Sequence, residues 1–564
     1  MKRFVFLFVL VACLTCQVGA AALSPSTDLQ YDIKVNPEEG SCWVTLSCKA
    51  PKSGQMMIQF PQNWNKGDSY ITIQHVEHCT YQPSSEYPNV IVVKSAPLAT
   101  ISIQYKAKNQ LFSDYPDLMT PYRLAIKPSY YYIISEALFA MPTHRIEQPN
   151  TISILWHNVP ASWVSVNSFT PQDPTLPIKG VLGRQFLTGI FWAGNDLRLH
   201  RFEVRQKPCY LATRGTWAFD DLALVQLLQQ TINTQRDFWN DYEVPHYLVT
   251  LMPAKLENGW GTNGRSLYNS FAAVAAHNQY TNLAALRDLF NHELMHYWIG
   301  NQIINEQPET LLYWFSEGFT SYFTDYNMYR SKQIGREEYI ERLNNILKKH
   351  HTSAQNTVTN QQIAQGFFGG DPQLQELPYN RGLIYALYLE GLVNQASQGK
   401  KTLKDAMQDL LRICKTEKRT LSVGLFNQVI SKYVGKDISP DTEKLMVQGQ
   451  LLSLDTLNQA IPDGFVNAAV KVFSLGFKTN ADKLKKGGEI IEINPTSPAL
   501  EAGLKLGDKL TALNYGINDY SMPCQLKVLR NNETVAVTYS PYILATVPQI
   551  NPNSTFFIKP PQQP

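Results

Sequence analysis

Residues 281–300 read TNLAALRDLFNHELMHYWIG, and residues 313–325 read YWFSEGFTSYFTD. In the first stretch Leu283, Leu286, Leu289 and Phe290 recur at helical spacing. Thr281 or Asn282 can cap the start and Gly300 marks the end, so a helix through Ile299 is expected. His292 and His296 are four apart on it, so both imidazoles project from one face and can share a metal, while Glu293 stands beside them without being a ligand. A catalytic zinc takes three protein ligands and keeps one position open for water. Twenty residues separate His296 from Glu317, enough to end one helix, turn, and return a carboxylate on a second helix beginning near Pro308. Glu317 is the expected third ligand, and Glu293 the expected general base toward a zinc-activated water.

The rest of the chain is read against that site. Its 564 residues suggest about three or four folding units. With 44% hydrophobic and 17% charged residues, the composition is that of a globular protein and excludes disorder as the dominant state. The chain opens MKRFVFLFVLVACLTCQVGAAALSP, with two cations, an apolar run from Phe4 to Cys16, and small residues before Ala20. This is the signal-peptide pattern, and the run is too short to span a bilayer. Cleavage after Ala20 would release a periplasmic or secreted protein. Leu10-Val11-Ala12-Cys13 also fits a lipobox, which would leave a lipid anchor on Cys13; both readings stay open. Without residues 1–20 the formal balance is 48 cations (50 less Lys2 and Arg3) against 47 anions. That near-neutrality argues against a nucleic-acid partner. Six cysteines lie beyond the leader, and a bridge among Cys42, Cys48 and Cys79 is expected in an exported chain.

From residue 24 to 205 short β-like runs alternate with Pro, Asn and Gly, which predicts a β-sandwich-like domain. Residues 206–460 form the second unit: a helix from about Leu222 to Tyr242, a strand from His246 to Met252, a Gly-rich segment, and a mostly helical stretch from Thr281 to Gly435 interrupted by a long polar loop near Thr352–Glu376. Beyond Pro462 β-like runs return, and residues 542–564 read as a poorly ordered Pro-rich tail.

The strings HELMHYWIGN (292–301) and FSEGFTSYF (315–323) resemble the gluzincin metallopeptidases of the MA clan. The second, with the C-terminal module, is similar to the glycyl aminopeptidase family that carries a PDZ domain, while HxWxGN is closer to the alanyl/leucyl aminopeptidases. The resemblance covers roughly residues 245–395, with a looser match at FPQNWNKGDSY (60–70), similar to a turn in the family's N-terminal β domain. The spacing to Glu317 departs from both families, shorter than in the first and slightly longer than in the second. The resemblance implies a multidomain α+β architecture: the β domain, a mainly helical thermolysin-like zinc domain, and a C-terminal PDZ domain over residues 466–541. It implies one zinc ion, peptide substrates, and a tyrosine donor to the tetrahedral oxyanion. Tyr379, in Pro378-Tyr379-Asn380-Arg381-Gly382, matches that donor, with Arg381 where the family has lysine. It also implies that Ser474-Leu475-Gly476-Phe477 is a carboxylate-binding loop for protein C-termini, while a role of the module in packing against the zinc domain stays equally open.

One family feature is missing. The strand that supplies an acid for the substrate's α-ammonium corresponds here to Gly261-Thr262-Asn263-Gly264-Arg265, which has none; Glu257 lies upstream. Gly261, Gly264 and Arg265 are substrate-binding candidates, on either an edge strand or a flexible loop. The reading is an exported zinc metallopeptidase, with aminopeptidase and endopeptidase action unresolved. The competing one is a non-catalytic PDZ-containing binding protein that keeps the zinc fold.

Overall fold

The computed structural model describes residues 27–61, 69–111, 113–118, 120–480 and 488–558. The leader, the lipobox at Cys13, most of the FPQNWNKGDSY string and residues 559–564 lie outside the described residues. The chain divides into two compact units: residues 1–230 with 242–293, and residues 231–241 with 294–564. No helix among the described residues is long and apolar enough to cross a membrane.

The first unit is rich in sheet. A six-stranded sheet has Leu29–Asn36 and Ser41–Lys49 at its centre. It shares one core with a four-stranded sheet built on Gln55–Gln59 and Val90–Ser95. Two tyrosines in that core are satisfied rather than functional: Tyr31 donates to the Ala140 carbonyl at 2.7 Å and Tyr105 to that of Leu138 at 2.9 Å. A five-stranded sheet follows, in the order Arg198–Val204, Lys207–Thr213, Tyr247–Ala254, Ser270–Ala276, Thr262–Leu267. Its three inner strands run parallel, and Tyr247–Ala254 and Ser270–Ala276 are buried at every position. That burial on both faces is why they read as unbroken apolar runs. The edge strand Thr262–Leu267 pairs antiparallel with Ser270–Ala276, Gly264 facing Ala273 and Arg265 facing Ala272. The Gly-rich segment is therefore an edge strand and not a flexible loop.

The second unit is mainly helical and centres on the helix Pro372–Ala396, which is buried from Leu377 to Val393 apart from Tyr379. Its Gly391 lies against Ala460 and Ile461, where a Cβ would sit 2.8 Å from the Ala460 carbonyl oxygen. Glu390 of the same helix is 5% exposed and accepts the Leu403 backbone N–H at 2.7 Å, satisfying the start of the helix Leu403–Glu417.

Several boundaries differ from those read in the sequence. The division expected at residues 205/206 falls in the two-residue turn between Arg198–Val204 and Lys207–Thr213, where Arg205 and Gln206 both have positive φ. The polar loop 352–376 contains a helix, Asn360–Gly366, capped by Thr359. The supposed tail is ordered as far as residue 558. Tyr542–Ile550 pairs antiparallel with Phe465–Phe473, and Thr555–Ile558 is helical. Ile550 N–H donates to Asn344 Oδ1 at 2.7 Å, and Arg336 donates to the carbonyls of Pro552 and Phe557, so this segment docks on the helix Arg336–Thr352. The expected cysteine bridge does not form; all six described cysteines are free. Cys42 and Cys48 share one strand, about 20 Å apart at six residues, and Cys79 begins an edge strand of another sheet.

Burial pushes the Glu390 carboxyl up to about 7, with the Asp405 charge adding to it. The folded state therefore binds this proton more tightly than the unfolded chain, whose ordinary value is 4.5. The contribution is fully present below the unfolded value and is lost as pH rises through the folded one. Urea unfolding from pH 4.5 to 7 is expected to show stability that falls with pH through this group, and Glu390→Gln to flatten that slope.

Candidate metal centre

The metal-binding helix runs Leu283–Met295 and rests on the five-stranded sheet through Phe290, whose ring meets Phe271 edge-on at 5.2 Å. It ends four residues earlier than the sequence suggested. Ile299 forms a bridge with Ile303, and the Trp298 indole donates to Asp241 at 3.0 Å while stacking on Trp239. These partners draw the chain out of the helix, so His296 begins the terminal turn. Its Nδ1–H donates to the Ile299 carbonyl at 3.0 Å, which leaves Nε2 as a lone-pair donor.

His296 Nε2 faces Glu317 Oε2 at 3.6 Å. Glu317 lies at the junction between the short helix Tyr313–Ser316 and the helix Gly318–Arg330. One ligand atom from each of His292, His296 and Glu317 lies within 4.8 Å of the other two, and all three residues are partly exposed. Two imidazoles and a carboxylate are the donor set of a catalytic zinc with one position left open. An imidazole lone pair aimed at a carboxylate is unfavourable unless a cation or a proton stands between them, so this set fits a bound metal.

Close glycine packing fixes Glu317. A Cβ on Gly382 would overlap the Trp314 carbonyl and sit 2.8 Å from Gly318 Cα, so the helix Pro372–Ala396 touches the junction backbone to backbone. Tyr379 lies three residues before Gly382, partly exposed and inside the helix rather than ahead of it; the helix starts at Pro372 with Asp371 as its cap. Arg381 is 2% exposed and points into the protein.

Glu293 is 9% exposed. A Cβ on Gly264 would overlap its side chain, so any larger residue there would have to push the Glu293 carboxylate aside. A Cβ on Gly261 would press into Leu118 at 2.6 Å, and Glu257 is exposed ahead of the strand. Arg265, the next residue after Gly264, pairs with Glu136. Burial, with the charges of Tyr132 and Glu293, holds the Tyr122 phenol well above its usual range, and Tyr122 donates to the Ala272 carbonyl at 3.1 Å. Sequence reasoning missed Glu136 and Tyr122, which no local pattern marks. It also missed Glu309, whose carboxyl is raised first by burial and then by the Glu317 charge, and Tyr313, one turn before Glu317.

The proposed carboxylate loop is largely spent on its own module. Ser474 N–H donates to Pro541 and Gly476 N–H to Ser474 Oγ, while the Leu475 carbonyl accepts from Tyr539. Phe477 starts the strand Phe477–Thr479, paired with Ile490–Ile493. A three-stranded sheet, Lys509–Asn514, Cys524–Arg530 and Glu533–Tyr539, completes the module. Its one helix among the described residues is Pro498–Glu501.

Residues 285–369 match the family described as M61 glycyl aminopeptidase. No curated protein matches the chain. The fold is similar to that of an aminopeptidase N family protein from Idiomarina loihiensis, at 18% identity over 93% of this chain and 99% of that one, with a TM-score of 0.66. An M1 zinc metallopeptidase from Deinococcus radiodurans aligns at 15% identity over 76% of this chain and 96% of its own, with a TM-score of 0.48.

Because Gly382 admits no side chain, Gly382→Ala is expected to lower stability by about 2 kcal/mol. It should also displace Glu317 and reduce bound zinc well below one per chain, read by urea unfolding and by elemental analysis of the purified protein.

Proposed function

We propose that this protein is a zinc metallopeptidase that hydrolyses peptide bonds and acts at free N-termini. The observation that carries this reading is the grouping of His292, His296 and Glu317 with Glu293 next in chain to the first ligand. The M61 match over residues 285–369, which contain all four, supports it. Zinc held by the three ligands supplies Lewis acidity and lowers the pKa of water at neutral pH. Glu293 takes the proton of the attacking water and passes it to the departing amine. Its burial beneath the Gly264 backbone keeps the carboxylate in one place. The Tyr379 hydroxyl donates to the oxyanion of the tetrahedral state. The edge strand Thr262–Leu267 aligns an extended peptide by backbone pairing, with Gly264 letting it pass close to Glu293 and Gly261 and Arg265 flanking that glycine.

Aminopeptidase action needs a carboxylate for the α-ammonium. Glu136, drawn to the edge strand by Arg265, supplies the acid that the strand itself lacks. Export, by signal cleavage at Ala20 or by lipidation at Cys13, rests on the leader sequence alone. The C-terminal module is a PDZ-like domain whose role is packing rather than capture of C-termini, a reading supported by the internal use of the Ser474 and Gly476 amides.

Glu293→Gln is expected to cut turnover of a peptide library at least about a thousandfold while zinc content stays at the wild-type level. Undiminished hydrolysis would sink the mechanism, and a wild type without activity would favour a binding protein. Peptides with free N-termini should be cleaved at least about tenfold faster than their N-acetylated forms; equal rates would mean an endopeptidase.

A further inference from the structure

Trp260 is 65% exposed, unusual for so large an aromatic, and it stands just ahead of the edge strand Thr262–Leu267. The ladder to Ser270–Ala276 reaches one residue past that strand, since the Ala276 N–H donates to the Gly261 carbonyl at 2.9 Å. The chain bends at residues 257–259 and not at Trp260 or Gly261. Side chains alternate between faces along such an extended segment. Gly264 faces Glu293, whereas a Cβ on Gly261 would meet the Leu118 side chain and Asn263 Nδ2 donates to the Leu118 carbonyl at 3.0 Å. Trp260, four residues before Gly264, therefore stands on the Glu293 face. The loop leading to it is braced. Asn278 Nδ2 donates to the carbonyls of Leu256 at 2.9 Å and Gly259 at 2.8 Å, and its Oδ1 accepts the Tyr280 N–H. Tyr280 is itself 46% exposed.

Under the reading proposed above, on which this inference rests, a peptide pairs with that strand and its scissile bond lies by Glu293 at Gly264. Glu136 meets Arg265, one residue beyond Gly264. A peptide whose α-ammonium reaches Glu136 starts at that end and runs antiparallel to the strand, past Asn263 and Thr262 toward Trp260. Four residues of strand cover about 13 Å, which brings the third or fourth residue after the scissile bond to the indole. We propose that Trp260 is a specificity-determining residue that binds an apolar or aromatic side chain at that point of the departing peptide. An indole is a large, rigid apolar surface. Covering it with an apolar side chain removes both from water, whereas a hydroxyl or carboxylate there gains nothing and loses hydration.

Alanine hexapeptides carrying Phe at residues four and five, or Ser at both, test this on the zinc-loaded Glu293→Gln protein, where calorimetry reads binding without turnover. The Phe peptide is expected to bind at least about tenfold tighter than the Ser peptide. Adding Trp260→Ala should erase that difference, and adding Trp260→Phe should retain most of it. Because Trp260 is exposed, both changes are expected to leave Tm at its starting value. Equal affinities, no measurable binding of either peptide, or a preference that survives Trp260→Ala overturns the assignment. Turnover of the same two peptides by the wild type separates this from the peptidase reading. Selective binding without hydrolysis sinks the peptidase and keeps Trp260, while hydrolysis with equal kcat/KM for both peptides does the reverse.

Discussion

The contact on which the site depends is between two glycines. Gly318 and Gly382 let the junction after Ser316 and the long buried helix meet at the backbone, and no other residue type fits at Gly382. Glu317 stands one residue before that contact and Tyr379 three residues before its partner glycine, so one steric constraint bears on the positions of both side chains. An interior packed at crystal-like density transmits this kind of constraint with little slack. Two other contacts finish the arrangement: the Nδ1 bond of His296 to Ile299, which aims Nε2 at Glu317, and the Gly264 backbone lying against Glu293.

The helix Leu283–Met295 rests on sheet. Tyr247–Ala254 and Ser270–Ala276 are buried along their whole length, so they form a stiff platform beneath the metal-binding helix. The strand Thr262–Leu267 has a neighbour on one side only, and at Gly264 one of its faces lies against Glu293. An edge with unpaired backbone groups is a liability in most folds. Here that edge carries the Arg265–Glu136 ion pair.

Local patterns were enough to pick out the three side chains that the fold brings together. His292 and His296 repeat at the helical period, and the aromatic residues on both sides of Glu317 mark a buried helix, so both features lie within a few residues of what they describe. The end of the metal-binding helix was not legible in the same way, because Trp298 is drawn off by Asp241, 57 residues earlier. The strand character of the Gly-rich segment became definite only through its register with Ser270–Ala276. Glu136 meets Arg265 across 129 residues, and Ile550 meets Asn344 across 206; neither contact leaves a trace in the flanking sequence. Proline in residues 542–564 suggested a loose end, yet Tyr542–Ile550 pairs with Phe465–Phe473 and the carbonyls of Pro552 and Phe557 are held by Arg336.

That partner strand changes what the C-terminal module is. Phe465–Phe473 enters it and Tyr542–Ile550 leaves it as two strands of one ribbon, so the module is threaded into the helical unit as an insertion and is not appended behind it. A stop codon placed before the module would therefore not trim an accessory domain. It would also remove the strand and the short helix that cover Arg336–Thr352, exposing Phe557 and Ile550 contacts that belong to the main helical core. A clean excision would instead join residue 473 to residue 542, whose strands already lie side by side, with a short turn.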